Sequence, residues 1–248
     1  MLLHGLLDTS EGWNAPMRRC EREAFAFDLP GFGDSSLAPH ATVRCYAELI
    51  AEAIEELGLE RFELVGHSLG GATAAVLASL MPERVTQLVL WAPAGFGPLF
   101  AARLADHAIG QIATNFTPFV LASKQLTAAV YAAFVANGRR PDPELSDRLR
   151  AQARRCLPGA KMGLRAVARV SCSGGELRRL EHAYRGPVIA LWGGRDHLVP
   201  PSHRHGVAEA FPQAQLVVWE SMGHHPQRER TREAALLLGG LAPEPSAA

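Results

Sequence analysis

A serine between two glycines stands where the residue pattern changes from strand to helix. Ser68 is the middle residue of the stretch GHSLG (66–70), which follows the apolar run Phe62–Val65 and precedes the Ala-rich run Leu69–Leu80. On such a turn a serine is held in a strained conformation with its hydroxyl exposed, and the glycines remove side chains that would clash there. A helix N-cap serine has a similar local sequence, but the patterns on both sides favour a nucleophile.

A serine hydroxyl is a weak nucleophile until an imidazole takes its proton, and the imidazole needs a carboxylate to fix its tautomer. Asp196 follows the apolar run Val188–Trp192, and the pair His224 and His225 follows the run Leu216–Trp219. If these runs are strands of one parallel sheet, all three side-chain types meet at its carboxyl edge. Only one of the two histidines can face the serine.

The elements that must position these residues alternate between strands and helices. The segment 43–57 is an amphipathic helix with Thr42 as its N-cap and Gly58 at its end. The alternation predicts an α/β fold, with a mostly parallel sheet and helices on both faces. The remaining predicted elements are strands at 25–27, 62–65, 87–91, 188–192 and 216–219, and helices at 69–80, 202–211 and 231–241.

Strand patterns disappear between Pro98 and about Arg185, where helical stretches rich in Ala, Leu and Arg are broken by Gly and Pro. The pattern predicts that residues 98–185 are a helical cap inserted into a core made of residues 1–97 and 186–248. An insertion after the strand at 87–91 would lie over the carboxyl ends of the strands, where open α/β sheets bind ligands.

Composition restricts the partners of the 248-residue chain. The 25 Lys and Arg residues balance the 25 Asp and Glu residues, so overall charge favours neither nucleic acid nor an anionic membrane as a partner. No apolar run is long enough to cross a bilayer, and the start is not typical of a secretory signal. The four cysteines lack the spacing of metal or redox motifs. We therefore expect a cytoplasmic protein that needs no cofactor or metal.

Five motifs in order make the chain similar to the α/β-hydrolase fold superfamily. They are His4-Gly5, the stretch DLPGFGDS (28–35), GHSLGG (66–71), Trp192-Gly193 with Asp196 and Pro200, and Gly223-His224 with Pro226 and Glu229. The resemblance implies an eight-strand fold with a cap after the sixth strand. It also implies a catalytic triad, in the chain order serine, aspartate, histidine, made of Ser68, Asp196 and His224.

The same resemblance implies an oxyanion hole. Its two donors would be the backbone N–H groups of Leu69, directly after the nucleophile, and Leu6, directly after the His-Gly pair. His225 is expected to be a partly exposed neighbour of the base, and His67 to pack or hydrogen-bond under the turn.

The resemblance implies a serine esterase that forms an acyl-enzyme on a small or medium carboxylic ester, with a small-molecule acyl substrate as its partner. A second reading keeps the triad but cleaves a carbon-carbon bond in a diketone acid, and it requires a basic residue such as Arg165, Arg169 or Arg195 in the pocket. A non-catalytic binding protein is disfavoured because it would not need all three triad residues. Dehalogenase and epoxide hydrolase chemistry is disfavoured because those relatives carry Asp at the nucleophile position.

The start of the chain differs from the family pattern, because only Met1–Leu3 precede the His-Gly pair. Relatives have two antiparallel strands there, so the first strands are expected to be missing and the strand at 24–27 to lie at an open sheet edge. The expectation for the oligomeric state is a monomer, or a homodimer that covers this edge.

Overall fold

The computed structural model describes residues 1–99, 123–134, 146–147, 150–151, 154–173, 177 and 184–239. These residues form a six-stranded sheet in which every pairing is parallel, with the strand order β2-β1-β3-β4-β5-β6. The strands are β1 (Leu2–Leu3), β2 (Ala26–Phe27), β3 (Phe62–His67), β4 (Val85–Trp91), β5 (Val188–Gly193) and β6 (Gln215–Trp219).

Eight α-helices are defined in the described residues, together with two short 3-10 turns at Ser10–Trp13 and Pro201–His203. The helices are α1 (Asn14–Met17), α2 (Val43–Glu56), α3 (Leu69–Leu80), α4 (Lys124–Phe134), α5 (Leu157–Ser173), α6 (Arg204–Ala210), α7 (Pro226–Glu229) and α8 (Thr231–Leu238). None of them is long and apolar enough to cross a membrane.

The sheet separates two apolar clusters because successive strand residues point to opposite faces. Leu64, Leu88 and Ala190 pack on one face, whereas Val65 and Val89 pack on the other. The first cluster includes residues of α2, α3 and α5, and the second includes Trp13 and residues of α8. Helices on both faces therefore hold the strand ends in fixed positions, as the alternating pattern predicts.

Local signals in the sequence agree with the helix ends. The Thr42 side chain accepts a hydrogen bond from the backbone N–H of Cys45 at 3.1 Å, which caps α2. Gly58 follows α2 with φ of +65°, a conformation that favours glycine. The predicted helix at 202–211 is instead a 3-10 turn, in which the N–H of His203 donates to the carbonyl of Pro200, followed by α6.

The predicted cap is described only in part. Within residues 98–185 the described segments contain α4 and α5 and no strand. The rest of this insertion, and the end of the predicted helix at 231–241, lie outside the described residues. At the other end of the fold, β2 is the terminal strand of the sheet, and it is the strand predicted at an open edge.

Candidate active site

Ser68 forms the turn between β3 and α3 with φ of +55° and ψ of −113°. This conformation is strained for a residue with a side chain. Glycines permit the sharp turn, since a Cβ on Gly66 would clash with the carbonyl of Gly70, and a Cβ on Gly70 would clash with the carbonyls of Leu3 and His4. The turn therefore packs closely against the end of β1.

Three backbone hydrogen bonds hold the strained residue. The Ser68 N–H donates to the carbonyl of Trp91 at 2.9 Å, and the Ser68 carbonyl accepts from Ala72 at 3.1 Å and from Ala94 at 3.0 Å. The side chain is half-buried at the start of α3. Because these bonds tie its backbone to β4 and α3, the Cβ atom that carries the Ser68 hydroxyl is held in place.

Asp196 and His224 are buried together and in contact. The Nδ1–H of His224 donates to Oδ2 of Asp196 at 2.6 Å, and each residue is 3% exposed. The other carboxylate oxygen accepts from the backbone N–H groups of Leu198 and Val199, both at 2.9 Å. The carboxylate is thus oriented by its own loop, and the Nε2 atom of His224 keeps its lone pair for another proton.

Two contacts fix the loop that carries His224. Glu229 accepts from the backbone N–H of Gly223 at 2.8 Å and from that of His225 at 3.0 Å. Gly193 lies directly against this loop, because a Cβ there would clash with the carbonyl of Gly223. The aspartate loop and the histidine loop are therefore packed backbone to backbone.

Three imidazole rings form a cluster beside Ser68. Ring centroids of His67 and His224 are 4.7 Å apart, as are those of His67 and His225. His225 is only 9% exposed, so the expectation of a partly exposed neighbour is wrong; the ring is enclosed by His67, His224 and Tyr131 of α4. Burial lowers the pKa of His67 and of His225 well below the usual value, so both rings are neutral near pH 7.

Neutral imidazoles are also metal ligands. One nitrogen from each of His67, His224 and His225 lies within 4.8 Å of one from each of the others, a spacing that could hold a transition-metal ion. Hydrogen bonds already engage all three rings: His224 with Asp196, and both His67 and His225 with Gln227.

The two predicted oxyanion donors lie where α3 and the loop after β1 meet. Within the described part of the chain, neither the Leu6 nor the Leu69 backbone N–H donates to another group. Gly5 brings the first loop against the nucleophile, because a Cβ on Gly5 would lie 3.2 Å from the Cβ of Ser68. Both N–H groups are therefore available at the turn.

His4 holds the loop that carries Leu6. Its Nε2 accepts from the backbone N–H of Leu29 at 2.9 Å, so the neutral ring carries its proton on Nδ1 and donates to the carbonyl of Gly5 at 2.7 Å. Asp28 adds a second tie by accepting from the N–H of Ser10 at 2.7 Å. Asp28 therefore helps to hold the loop that carries Leu6.

A buried ion pair connects the same loop to α7. Arg228 donates to Asp8 at 2.7 Å, and their side chains are 16% and 2% exposed. Asp8 also accepts from its neighbour Thr9, and its carbonyl accepts from the Cys156 thiol at 3.0 Å. The loop after β1 is thereby joined both to the histidine loop and to the predicted cap.

Apolar side chains and a glycine of α5 border the site. A Cβ on Gly163 would lie 2.7 Å from Leu6, 2.9 Å from Phe32 and 3.1 Å from Leu69, so α5 passes directly over the side chains of both proposed donor residues. The three arginines considered for a substrate carboxylate are all exposed: Arg165, Arg169 and Arg195.

A family model for the alpha/beta hydrolase fold matches residues 1–231. The chain belongs to this family. The described residues form six parallel strands, whereas the resemblance implies eight strands.

The chain is similar in sequence to proteins whose names state different activities and whose lengths differ. The chain is 29% identical over 238 residues to the dihydrolipoyllysine-residue acetyltransferase component of the acetoin cleaving system of Pseudomonas putida, covering 94% of this chain and 60% of that protein. It is 27% identical to the mouse (Mus musculus) sn-1-specific diacylglycerol lipase ABHD11, covering 94% and 77%. The chain thus spans less than two thirds of the length of the first of these relatives.

A solved hydrolase structure has the same fold. The thermophilic esterase from Thermogutta terrifontis, with malate bound, superposes with a TM-score of 0.77 at 22% identity, covering 96% of this chain and 86% of that one. This likeness concerns the fold.

Residues that hold the site together were missed by sequence reasoning. Gln227 bonds to two of the three clustered rings, and Asp8 and Arg228 form the buried pair. The sequence contains one weak signal for them, because Gln227 and Arg228 follow the His224-His225 pair closely, on helix α7. His67 and Asp8, the distant partners of Gln227 and Arg228, are 160 and 220 residues away in the chain, so no local pattern identifies these two contacts.

Proposed function

We propose that this protein is a serine hydrolase that cleaves a small-to-medium carboxylic ester through an acyl-enzyme intermediate. The observation that carries the proposal is the buried 2.6 Å contact between Asp196 and Nδ1 of His224, on the loops beside a strained Ser68. A carboxylate on Nδ1 leaves Nε2 as a proton acceptor and stabilises the imidazolium that forms. This is the arrangement that activates a serine hydroxyl.

In the proposed mechanism the Ser68 oxygen attacks the ester carbonyl while His224 Nε2 takes the hydroxyl proton. The carbonyl oxygen becomes an oxyanion that accepts from the N–H groups of Leu6 and Leu69. His224 then gives its proton to the leaving alkoxide, which departs as the alcohol. In the second half water attacks the acyl-enzyme, His224 takes the proton from water, and the acid and free Ser68 are released.

The substrate we propose is a small molecule with an apolar acyl group. Support comes from the side chains of Leu6, Phe32 and Leu69, which border the site under Gly163. In this proposal residues 1–97 and 186–248 are the catalytic core, and the inserted residues 98–185 are the cap that closes the pocket.

The alternative hypothesis is carbon-carbon bond cleavage of a diketone acid by the same triad, and no specific observation favours it. It needs a cation for the substrate carboxylate, whereas all three arginines considered for that role are exposed and Arg169 donates to the carbonyl of Ala41. Arg228, which follows the histidine cluster on α7, is paired with Asp8.

The test combines a fluorophosphonate probe with p-nitrophenyl acetate turnover. We expect covalent labelling and turnover by the wild-type protein, and loss of both in Ser68→Ala. No labelling and no turnover would refute the enzyme and favour a hydrolase-fold binding protein. A panel of p-nitrophenyl esters against ring-opened diketone acids then separates the two substrates; faster cleavage of the diketone acids would replace ester hydrolysis as the function.

A further inference from the structure

A chain of hydrogen bonds leads from a buried glutamine to the backbone of the proposed base. The Nε2 amide of Gln227, a residue only 1% exposed, lies 3.2 Å from Nδ1 of His67. The opposite nitrogen of that ring, Nε2, lies 2.8 Å from the backbone carbonyl of His224. Three residues from two distant parts of the sequence are thereby joined in series.

The proton positions in this chain follow from the burial of His67 and from its two hydrogen-bond partners. Because burial lowers the pKa of His67, the ring is neutral and carries one N–H. The carbonyl of His224 can only accept, so the proton is on Nε2, and Nδ1 is left as an acceptor. Nδ1 must then face the NH₂ group of Gln227. The amide oxygen of Gln227 has no hydrogen-bond partner among the described residues, which is the consequence of this orientation.

The ring of His67 lies where all the proposed catalytic parts meet. It precedes Ser68 in the chain and is tilted against the ring of His224 at a centroid distance of 4.7 Å. Its Nδ1 would be 2.9 Å from a Cβ on Gly5, so it also underlies the loop of the Leu6 donor. A rotation of this ring would disturb the base and the oxyanion loop together.

We propose that Gln227 and His67 are positioning residues for the base: Gln227 donates to Nδ1 of His67 and so holds the orientation of its ring, and His67 then anchors the carbonyl and ring of His224. The proposal deepens the proposed function and rests on it, since it assigns His224 as the base. Neither residue touches the reacting atoms in this mechanism. Each acts through the orientation of His224.

A single amide also holds the third ring. The Nε2 of Gln227 lies 3.5 Å from Nδ1 of His225, so its two N–H groups reach His67 and His225. Both rings are then acceptors at Nδ1 and carry their protons on Nε2. Loss of the amide would leave two buried nitrogen lone pairs without donors, which weakens the hold on both rings.

The first experiment measures kinetics of ester hydrolysis in matched variants. Gln227→Met keeps a similar side-chain volume and removes both amide donors. We expect kcat to fall about tenfold and KM to change less than about twofold, because a hydrogen bond that orients the base is lost while substrate binding is not affected. Gln215→Met, at an exposed glutamine of β6, is the control and should match the wild type. Unchanged kcat in Gln227→Met would overturn the proposal.

Variants of His67 test whether the two residues act in series. His67→Gln can still donate from an amide nitrogen near the position of Nε2 and should retain more kcat than His67→Leu. If Gln227 acts only through His67, the double variant His67→Leu/Gln227→Met should be no slower than His67→Leu alone. Multiplying losses in the double variant, or equal loss in His67→Gln and His67→Leu, would contradict an action through His67.

The second experiment does not depend on activity. In ¹⁵N-histidine NMR spectra at pH 7, with the His67 signals identified from their loss in His67→Gln, we expect a neutral Nε2–H tautomer. In Gln227→Met the Nδ1 signal of His67 should shift, because this nitrogen loses its donor, while Nε2 remains protonated against the His224 carbonyl. An Nδ1–H or doubly protonated His67 in the wild type would overturn the proposed roles of Gln227 and His67 even in an active enzyme. An inactive wild type with the expected tautomer would instead refute ester hydrolysis as the function, while the proposed hydrogen bonds from Gln227 through His67 to His224 would be supported.

Discussion

The two sides of the site are held in different ways. On the proposed acid-base side, the turns of Ser68 and Asp196 are held by hydrogen bonds to backbone groups, and the loop of His224 is held by the side chains of Glu229 and His67. On the proposed substrate side, the loop of Leu6 is held by side chains: His4 and Asp8 belong to the loop itself, and Asp28 and Arg228 reach it from elsewhere. We therefore expect the positions of Ser68 and Asp196 to be robust, whereas the loop of Leu6 depends on a few side chains.

The largest expected effect comes from breaking the acid-base side. His224→Ala should lower kcat/KM for p-nitrophenyl acetate by at least about 10⁴-fold, because loss of a triad member leaves only binding and the oxyanion hole. His225→Ala is the matched control from the adjacent position and should lose far less, since its ring has no contact with Asp196. Similar losses in both variants would show that the wrong histidine had been assigned as the base.

The next effect tests the substrate side. Arg228→Leu leaves the Asp8 carboxylate buried without its cation, and we expect the free energy of unfolding to fall by about 3 kcal/mol. The double variant Asp8→Asn/Arg228→Leu should recover part of this loss, because the unpaired charge is gone. Urea denaturation measures both. A loss below about 0.5 kcal/mol in Arg228→Leu would mean that the pair does not hold the loop.

Acid should weaken both sides through their shared histidines. Burial lowers the pKa of His4, His67 and His225 below the usual 6.5, so the folded protein binds fewer protons than the unfolded chain as the pH falls through that value. Their contribution to stability is therefore complete above pH 6.5 and declines below it, by up to about 1.4 kcal/mol per pH unit for each ring.

Denaturation midpoints measured from pH 7.5 to 5.5 check this sign. The variant His225→Phe removes one titrating ring and should give a shallower decline than the wild type. A stability that is constant, or that rises, as the pH falls from 6.5 to 5.5 would contradict the neutral buried cluster.

The smallest effect sharpens the account of the pocket. Gly163→Leu places a side chain against Leu6, Phe32 and Leu69, and we expect the preference for long over short acyl chains to fall about tenfold, the value of one or two methylenes in an apolar pocket. The ratio of kcat/KM for p-nitrophenyl octanoate to that for the acetate measures it. An unchanged ratio would place the acyl group away from α5.

The same contrast explains how far sequence reasoning reached. The strand-turn-helix pattern around Ser68 and the placement of Asp196 after an apolar strand are local, so the parallel α/β fold and the positions of these residues were predictable. The contact of His224, rather than His225, with Asp196 agrees with the histidine favoured by the resemblance. Local patterns state nothing about how a loop packs against one more than a hundred residues away.

Contacts between segments distant in the chain account for the features that the sequence did not predict. The enclosure of His225 depends on Tyr131 of α4 and on His67, and the partner of Arg228 depends on how the loop after β1 folds back. These outcomes are decided by burial and by the need to pair buried charges and lone pairs, which act only once the sheet is assembled.

The most direct test of the central claim is a rapid-quench measurement of p-nitrophenol release, with peptide mapping of the trapped protein. If Ser68 is the nucleophile activated by His224 and Asp196, p-nitrophenyl acetate should give a burst of one equivalent of p-nitrophenol or less, and the acetyl group should be found on Ser68 alone. The burst should be absent in Ser68→Ala and strongly slowed in His224→Ala. Acetylation at another residue, or turnover retained by Ser68→Ala, would contradict the account.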